Sequence, residues 1–483
     1  MLLPFSLRPR RAAAGRCFAL SAWLAVLALA AAPARAQLSY TTPGAPLVET
    51  FDAGLPAALN NSAAWTDNGT FPGWYVLFDN IGTPETYRIN NTPTNNAINH
   101  FRSGATATDG ALGGRVGDAG GAIFYGLRLR NDTGVTLHTF TLRYALEQWS
   151  SSTATTPHGF SVSFQIGTPA SLKDGFWAPL QNAAVETPHF DGTSATLNGS
   201  LAANRAVSQM LTVGGIAWEP GTELWLRFQD ANDAGIDHGI ALDDVTFTAS
   251  TDTQVPVGGV IFGRNRYIEI QVGDCPLIIA VPHGGLEEPE ELPDRTWGVF
   301  ARDINTQDMA RRMATEIYTR TGKRPHMVFS LIHRRKLDPN RDIDEAAQGN
   351  PNTEIAWHEY HGALTAARER AEQDFGFAFV VDAHGHGHEI QRIEFGYLVK
   401  NAEFNLTDAQ LEHPAYGEHT SCRTHAHLPG LHFPLFLRGP RSLGALFAQR
   451  GYPSVPSPDM PGPNGAPYFE GLYTNEAHGS RDN

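Results

Sequence analysis

Two histidines follow two of the most apolar runs in the chain, and each is flanked by glycine. His283 comes after the run LIIAV at 277–281, and His384 comes after FAFVV at 377–381. Neutral imidazole is the most common metal ligand in proteins. Two histidines, one carboxylate and an open position for water make a catalytic zinc site rather than a structural one. The pattern predicts one zinc ion bound by these two loops.

The third ligand of such a site should be a carboxylate from another loop. We expect Asp303, which lies just before a predicted helix, and we keep Glu287 and Glu288 as the reserve because they lie closer to His283. A hydrolytic metal site also holds its histidines through outer hydrogen bonds. Asp382 lies two residues before His384, on the same face of an extended strand, and could orient it or simply bind backbone N–H groups.

Four further histidines lie near these motifs. His386 and His388 extend the alternation begun at His384, and they could bind a second metal ion or the substrate, or form a surface tract that captures metal adventitiously. The sequence HEYH at 358–361 is one residue shorter than a zincin motif. We interpret it as one face of a helix, with His361 reaching toward the site as an outer contact.

The elements that position these residues should form an α/β domain. The apolar runs are typical of strands buried on both faces, and helical periodicity lies between them. Thr306 is a plausible N-cap for a helix ending at Gly322, and Thr353 for the next helix. Strands alternating with helices predict a mostly parallel sheet, and ligands bind at the carboxyl ends of such strands.

The chain before this domain has a different pattern. Short alternating runs separated by polar turns, such as those at 124–130, 160–166 and 224–228, predict an antiparallel β-sandwich or jelly roll. We place the β-sandwich accessory domain at 37–250. The segment 251–258 has no pattern and is predicted to be a linker.

The chain from 259 to 483 resembles the N-formylglutamate amidohydrolase family, whose fold is related to zinc carboxypeptidases and cell-wall amidases. The resemblance rests on the order of several motifs, namely PHGG at 282–285, Asp303 at a helix start, RRKLDPNR at 334–341, YH at 360–361, DAH at 382–384 and YTNEAHG at 473–479. It implies an α/β hydrolase-like domain that binds one zinc ion through His283, Asp303 and His384.

The resemblance also implies roles for other positions. Asn340 and Arg341 match an element in which the arginine binds the substrate carboxylate, a role that suits the planar guanidinium. Alternatively, Arg341 belongs to a solvated basic face. Family members continue into a strand with a glutamate general base, so we expect the domain to be truncated at its C-terminus. The base is expected beyond Asn483, and we assign no general base within this sequence.

These observations predict a secreted, zinc-dependent amidohydrolase that acts on an amide or short peptide with a free carboxylate. Two alternatives stay open: a non-catalytic extracellular binding or adhesion protein with a degenerate hydrolase domain, and a cell-wall peptide amidase. The net charge of −14 gives no electrostatic reason to bind nucleic acid or an anionic membrane.

Residues 1–36 have the layout of a secretory signal peptide. Four arginines precede an apolar stretch at 17–32, and Ala34-Arg35-Ala36 fits a cleavage site. We expect a secreted or periplasmic protein without a membrane span. In an oxidising compartment Cys275 and Cys422 could form a disulfide, although two free thiols are as consistent with the sequence.

The end of the predicted sandwich resembles jelly-roll modules of secreted bacterial enzymes. The carboxylates between Asp230 and Asp244 could bind Ca²⁺ through oxygen ligands, or form a plain acidic turn. A glycan ligand is a further possibility, because tryptophans can stack on sugar rings; core packing is the default role. The candidates are Trp65, Trp74, Trp149 and Trp177.

Overall fold

The computed structural model describes residues 38–53, 59–426 and 430–479. The predicted signal peptide at 1–36 lies outside the described residues. The described residues all belong to one compact unit. None of the helices in these three ranges is long and apolar enough to cross a membrane.

The first part of the structure is built from strands, because its alternating sequences can bury one face of a sheet. In chain order the strands are β1 (Leu38–Tyr40), β2 (Leu47–Glu49), β3 (Asn61–Ala64), β4 (Trp74–Phe78), β5 (Thr86–Asn90), β6 (Ala97–Phe101), β7 (Ala111–Arg115), β8 (Ile123–Asn131), β9 (Thr139–Ser151), β10 (Phe160–Ile166), β11 (Ala178–Pro179), β12 (Ala195–Thr196), β13 (Arg205–Val207), β14 (Leu211–Gly214), β15 (Glu223–Asp230) and β16 (Gly239–Ser250). Short 3-10 helices occur at Gln181–Ala183 and Ala202–Asn204.

These strands form two sheets that pack face to face, as predicted for a β-sandwich. One sheet has the order β1-β8-β15-β10-β11, with β4 also paired to β8. The other contains β14, β9, β16, β7, β6, β5 and β3 in that order. Phe160 and Phe228 of the first sheet pack against Tyr144 of the second in one continuous core. Burial of these aromatic faces holds the two layers together.

The four tryptophans proposed as sugar-stacking candidates are all buried. Trp74 and Trp149 have no exposed surface, and Trp65 and Trp177 are nearly as covered. Trp149 stacks on Phe101 with ring centroids 5.0 Å apart. All four therefore have the default role of core packing. A glycan ligand stays a prediction, and these four side chains do not support it.

The second part of the structure alternates strands with helices. Its elements are β17 (Val260–Phe262), β18 (Ile268–Gln271), β19 (Leu277–Val281), α1 (Thr306–Thr321), β20 (His326–Ser330), α2 (Ile343–Ala347), α3 (Pro351–Phe375), β21 (Phe379–Asp382), β22 (Ile393–Glu394), α4 (Asp408–Leu411), α5 (Pro414–Glu418), α6 (Arg423–Ala426), α7 (Phe433–Arg438), α8 (Leu443–Ala448), β23 (Ser454–Val455) and α9 (Tyr473–His478). Further 3-10 helices occur at Arg264–Arg266 and Asn401–Asn405.

The sheet of this part is mixed, which corrects the prediction of a mostly parallel sheet. Its order is β21-β19-β20-β18-β17, and only β21, β19 and β20 run parallel. β18 is antiparallel to both β20 and β17. The reason is the short connection from β17 to β18, since a few residues can join antiparallel neighbours but not parallel ones.

The two parts share one sheet. β17 pairs in parallel with β14, so hydrogen bonding continues from the α/β strands into the sandwich. Residues 251–258 contain neither helix nor strand, as expected for a linker. The domain boundaries at 250 and 259 stay a prediction.

The N-caps of the two main helices lie one and three residues before the predicted caps. Asn305, rather than Thr306, is the N-cap of α1, and Gly322 ends that helix in the left-handed conformation that favours glycine. In α3, Asn350 rather than Thr353 is the N-cap, and its side chain accepts the N–H groups of Asn352 and Thr353. In α3 the short asparagine amide reaches the free N–H groups, whereas the side chain of Asn305 makes no such bond.

Candidate metal centre

The two predicted histidines lie side by side because β19 and β21 are parallel neighbours. Ala280 of β19 pairs with Asp382 of β21, so the chain leaves both strands at the same edge of the sheet. The Nδ1 atoms of His283 and His384 are 3.1 Å apart. His283 is almost completely buried, and His384 is partly open. The strand pairing therefore forms a two-histidine site at this edge.

Asp303 reaches the same point from the loop that precedes α1. Its N–H donates to the carbonyl of His283 over 3.0 Å, and its Oδ2 accepts the N–H of Gly385 over 3.0 Å. The same Oδ2 lies 3.1 Å from Nδ1 of His384 and 3.5 Å from Nδ1 of His283. Backbone hydrogen bonds thus hold Asp303 in place, and we call the three residues the His–Asp–His cluster.

Gly284 permits the close approach of α1 that places Asp303. A Cβ atom at this position would lie 2.6 Å from Cγ of Gln307 and 2.8 Å from Oγ1 of Thr306. Both distances are too short for carbon in van der Waals contact. Any side chain here would push the start of α1, and with it the Asp303 loop, away from the strand end.

The outer nitrogens of both histidines are bound by carboxylates. Nε2 of His283 lies 2.6 Å from Oδ1 of Asp338, and Nε2 of His384 lies 2.7 Å from Oδ2 of Asp382. A carboxylate can only accept, so each Nε2 carries the proton. This leaves the Nδ1 atoms as acceptors that face each other and Oδ2 of Asp303.

Three acceptor atoms at these distances require a positive charge among them. Burial lowers the pKa of His384, but the charges of Asp382 and Asp303 outweigh it and raise that pKa to about 10. Burial likewise raises the pKa of Asp303, and hydrogen bonds to the two histidines bring it far below the usual range. A proton can take this place, and so can a metal ion.

Asp338 and Arg334 also lie next to the cluster, and the sequence predicted no role there for either residue. Arg334 donates from Nε to Oδ2 of Asp338 over 2.8 Å, and its Nη1 lies 3.7 Å from Oδ1 of Asp303. Arg295 lies 3.7 Å from the same oxygen of Asp338. Burial raises the pKa of Asp338, but His283 and Arg334 hold it far below its usual range. Both residues lie in an irregular loop, so no helical spacing in the sequence marks their contact.

The predicted substrate-binding pair lies beside the cluster. Asn340 is buried, with Nδ2 3.1 Å from Nε2 of His384, and its Oδ1 accepts the N–H of Thr474. Arg341 donates from Nε to Glu345 over 3.1 Å and from Nη1 to the carbonyl of Asn340 over 2.8 Å. The structure therefore brings Asn340 to the histidines, and holds Arg341 just before α2 through its contact with Glu345.

His361 forms a second pair of histidines rather than a contact with the cluster. Its Nδ1 lies 2.9 Å from Nε2 of His478, and its Nε2 donates to the carbonyl of Pro339 over 2.9 Å. The two rings stack at 6°. Burial lowers the pKa of both histidines to about 4, so they are neutral. Through Pro339 the pair supports the loop that carries Asp338 and Asn340.

His386 and His388 lie near Glu394 instead, and Nδ1 of His388 is 3.1 Å from its carboxylate. These three residues could offer one ligand atom each within 4.8 Å of one another. However, Nε2 of His386 lies 2.6 Å from the carbonyl of Arg392, and Glu394 already accepts hydrogen bonds from Arg392 and the N–H of Phe469. The members of this group therefore already have hydrogen-bond partners within the protein.

The reserve carboxylates have other partners. The N–H of Glu287 donates to the carbonyl of Leu331, and Glu288 accepts from Arg335 over 3.3 Å. Their loop therefore follows the end of β20 and does not bring them into the cluster. Cys275 and Cys422 are both free.

The donor set fits zinc. Bonds of 2.0–2.1 Å to a tetrahedral ion separate neighbouring ligand atoms by about 3.3–3.4 Å. The three sides of the cluster measure 3.1, 3.1 and 3.5 Å. Both imidazoles are held through Nε2 by carboxylates, the usual outer arrangement of zinc-bound histidine. The cluster could thus hold zinc with three protein ligands.

Comparison with known proteins gives one match by sequence. The chain is 25% identical over 174 residues to an N-formylglutamate deformylase of Pseudomonas putida, which covers 29% of this chain. The chain spans about 62% of that relative's length. No model of a protein family matches the chain.

Solved structures resemble the chain more weakly. The K3 cleaved adhesin domain of Lys-gingipain from Porphyromonas gingivalis has 16% identity and a TM-score of 0.22, over 42% of this chain and 98% of that one. The CBM22-1 xylan-binding domain of Xyn10C from Paenibacillus barcinonensis has 14% identity and a TM-score of 0.22, over 44% and 99%. Both likenesses are too distant to indicate a function. By sequence, part of the chain is distantly homologous to N-formylglutamate deformylase.

Proposed function

We propose that this protein is a zinc-dependent amidohydrolase whose metal ligands are His283, Asp303 and His384. The observation that carries the proposal is the arrangement of three acceptor atoms around one point, with both outer imidazole nitrogens bound to carboxylates. The distant similarity to N-formylglutamate deformylase supports amide hydrolysis as the reaction.

A zinc ion in this place would polarise the amide carbonyl and lower the pKa of a bound water. The chain's own residues prepare the site. Asp338 and Asp382 keep a proton on Nε2 of each histidine, which leaves Nδ1 free to bind. Arg334 balances the charge of Asp338 and lies close to Asp303, so both carboxylates stay ionised in a buried setting.

We place the substrate carboxylate at Arg341. Its guanidinium is only partly buried and bonds Glu345 through Nε, an exchangeable partner for a ligand carboxylate. Asn340, one residue earlier, contacts His384 and so links this position to the cluster. The substrate class is therefore an amide or short peptide with a free carboxylate. We further propose that the protein is exported, on the signal-like pattern of residues 1–36.

The test combines metal content with hydrolysis. The purified chain should contain one zinc per molecule and release free amine from a panel of N-acyl amino acids and short peptides. His283→Ala and His384→Ala should lose both properties, whereas His432→Ala, at an exposed histidine bound to Glu412, should keep both. Full zinc content in both cluster variants would reject the ligand assignment. Zinc without hydrolysis of any carboxylate-bearing amide would reject the reaction.

A further inference from the structure

The β-sandwich contains a second group of carboxylates, at the end of the sandwich where β15 gives way to β16. Asp230 is the last residue of β15, and Asp233 and Asp237 lie in the loop from 231 to 238 that leads to β16. His158, just before β10, contacts this loop with Nδ1 3.4 Å from Oδ1 of Asp237 and 3.7 Å from Oδ2 of Asp233.

Two of these carboxylates are buried with an oxygen that has no partner. Asp230 and Asp237 are each only 2% exposed, and Oδ2 of both lacks a hydrogen bond to any of the described residues. In Asp237 the other oxygen accepts the N–H of Asp233 over 3.1 Å. Leaving a buried carboxylate oxygen unsatisfied is costly, so such a group normally faces a cation, a proton or water.

Basic side chains do not compensate these charges. Within the described residues, no lysine or arginine forms an ion pair with Asp230, Asp233 or Asp237. Arg115 attracts Asp237 from a greater distance, and its Nε donates to Asn95. Burial, reinforced by the neighbouring carboxylates, raises the pKa of Asp230 far above its usual range. The Asp230 carboxyl therefore keeps its proton when no cation is bound, and a divalent cation would neutralise the charges of Asp233 and Asp237 beside it.

The ligand atoms on offer are oxygens. Nδ1 of His158 accepts the backbone N–H of His238 over 3.3 Å, so its lone pair is already used. Nδ1 of His238 in turn accepts the N–H of Ser152 over 3.0 Å. Carboxylate oxygens without available imidazole nitrogen suit a hard cation, and Ca²⁺ tolerates the irregular oxygen cages that loops provide.

We propose that Asp233 and Asp237 bind one Ca²⁺ ion that fastens the β15–β16 loop to the end of the sandwich, next to the buried carboxyl of Asp230. One oxygen of Asp233, one oxygen of Asp237 and a ring nitrogen of His158 lie within 4.8 Å of one another. This site lies outside the proposed zinc centre and shares no residue with it. Its occupancy would stabilise the sandwich by mass action, because only the folded chain brings these two carboxylates together.

The test is a calcium titration of the full chain after a chelating resin has removed bound metal. Isothermal titration calorimetry should show one Ca²⁺ bound per chain, and calcium should raise the unfolding temperature by several degrees. Asp233→Asn, at a half-exposed position that tolerates change, should weaken calcium binding about tenfold or more. Glu85→Gln, at an exposed site on the same sandwich, should bind calcium like the wild type.

Two further variants separate a ligand from a structural residue. Asp237→Asn should abolish calcium binding, while its unfolding temperature without calcium should be no lower than that of the wild type, because the buried repulsion is relieved. His283→Ala, which removes a proposed zinc ligand, should keep the full calcium effect. The proposal fails if the wild type binds no calcium, if magnesium gives an equal shift, or if Asp233→Asn and Asp237→Asn leave binding unchanged.

Discussion

Replacing Asp338 by asparagine tests how the outer carboxylates prepare the metal site. Asp338 binds Nε2 of His283 over 2.6 Å and also accepts from Arg334 over 2.8 Å. Outer partners of zinc-bound histidine typically contribute 10–100-fold to metal affinity. We therefore expect Asp338→Asn to weaken zinc binding by about 1.4–2.7 kcal/mol.

The same variant should also destabilise the metal-free chain. Asp338 has no exposed surface, and its loss leaves Arg334 and Arg295 without the carboxylate they share. Breaking a buried ion pair by removing one partner costs about 3–5 kcal/mol. We expect a loss near the lower value, about 3 kcal/mol, because Arg334 keeps the longer contact to Asp303.

Asp382→Asn is the matched variant. Asp382 holds Nε2 of His384 in the same way, but its other oxygen is buried with no partner, and no bound arginine, among the residues that the structure describes. It should lose a similar amount of zinc affinity with little loss of stability. The exposed carboxylate of Asp344 serves as a control, since Asp344→Asn should change neither property.

The assay is competition for zinc with a chromogenic chelator, combined with urea unfolding of the metal-free chain. Wild-type zinc affinity in both Asp338→Asn and Asp382→Asn would show that the two carboxylates support packing alone. A loss of zinc affinity in Asp338→Asn only, the variant that is also destabilised, would likewise contradict a role of the imidazole contacts in metal binding.

Three more predictions follow from the structure. Arg341→Ala should raise KM for carboxylate-bearing substrates about 10–100-fold with unchanged zinc content, as measured by steady-state kinetics. Arg341→Lys should not restore the wild-type KM, because only guanidinium binds carboxylate in a planar bidentate pair. Burial raises the pKa of Glu147 to about 7, so the folded chain keeps a proton that the unfolded chain releases near pH 4–5. The unfolding free energy should therefore fall as the pH rises from 5 to 8. Urea titrations should show that Glu147→Gln flattens this fall. Trp149→Ala should cost about 3–5 kcal/mol in the same unfolding experiment, because the indole is fully buried against Phe101; a loss below 1 kcal/mol would contradict this packing.

Much of the site's position could be predicted from local sequence. The run LIIAV became β19 with the same bounds, because continuous β-branched and apolar residues suit a strand covered on both faces. The histidine after it then had to lie at a strand end. The second histidine follows from the same rule, and the pairing of β19 with β21 makes the two strand ends neighbours.

Other features depend on contacts that local sequence does not contain. Asp338 lies in an irregular loop, 55 residues from the histidine that it holds, and neither periodicity nor a cap marks it. The antiparallel direction of β18 depends on which strands its short connections allow it to join. Likewise, the unpaired oxygens of Asp230 and Asp237 exist only because the fold buries the end of β15.

X-ray absorption at the zinc edge of the purified chain tests whether His283, Asp303 and His384 bind the metal. The assignment predicts one zinc ion with two imidazole nitrogens and one carboxylate oxygen at about 2.0–2.1 Å, and loss of this zinc signal in His384→Ala. A zinc environment unchanged in His283→Ala and His384→Ala, or changed only when His386 and His388 are replaced, would contradict it.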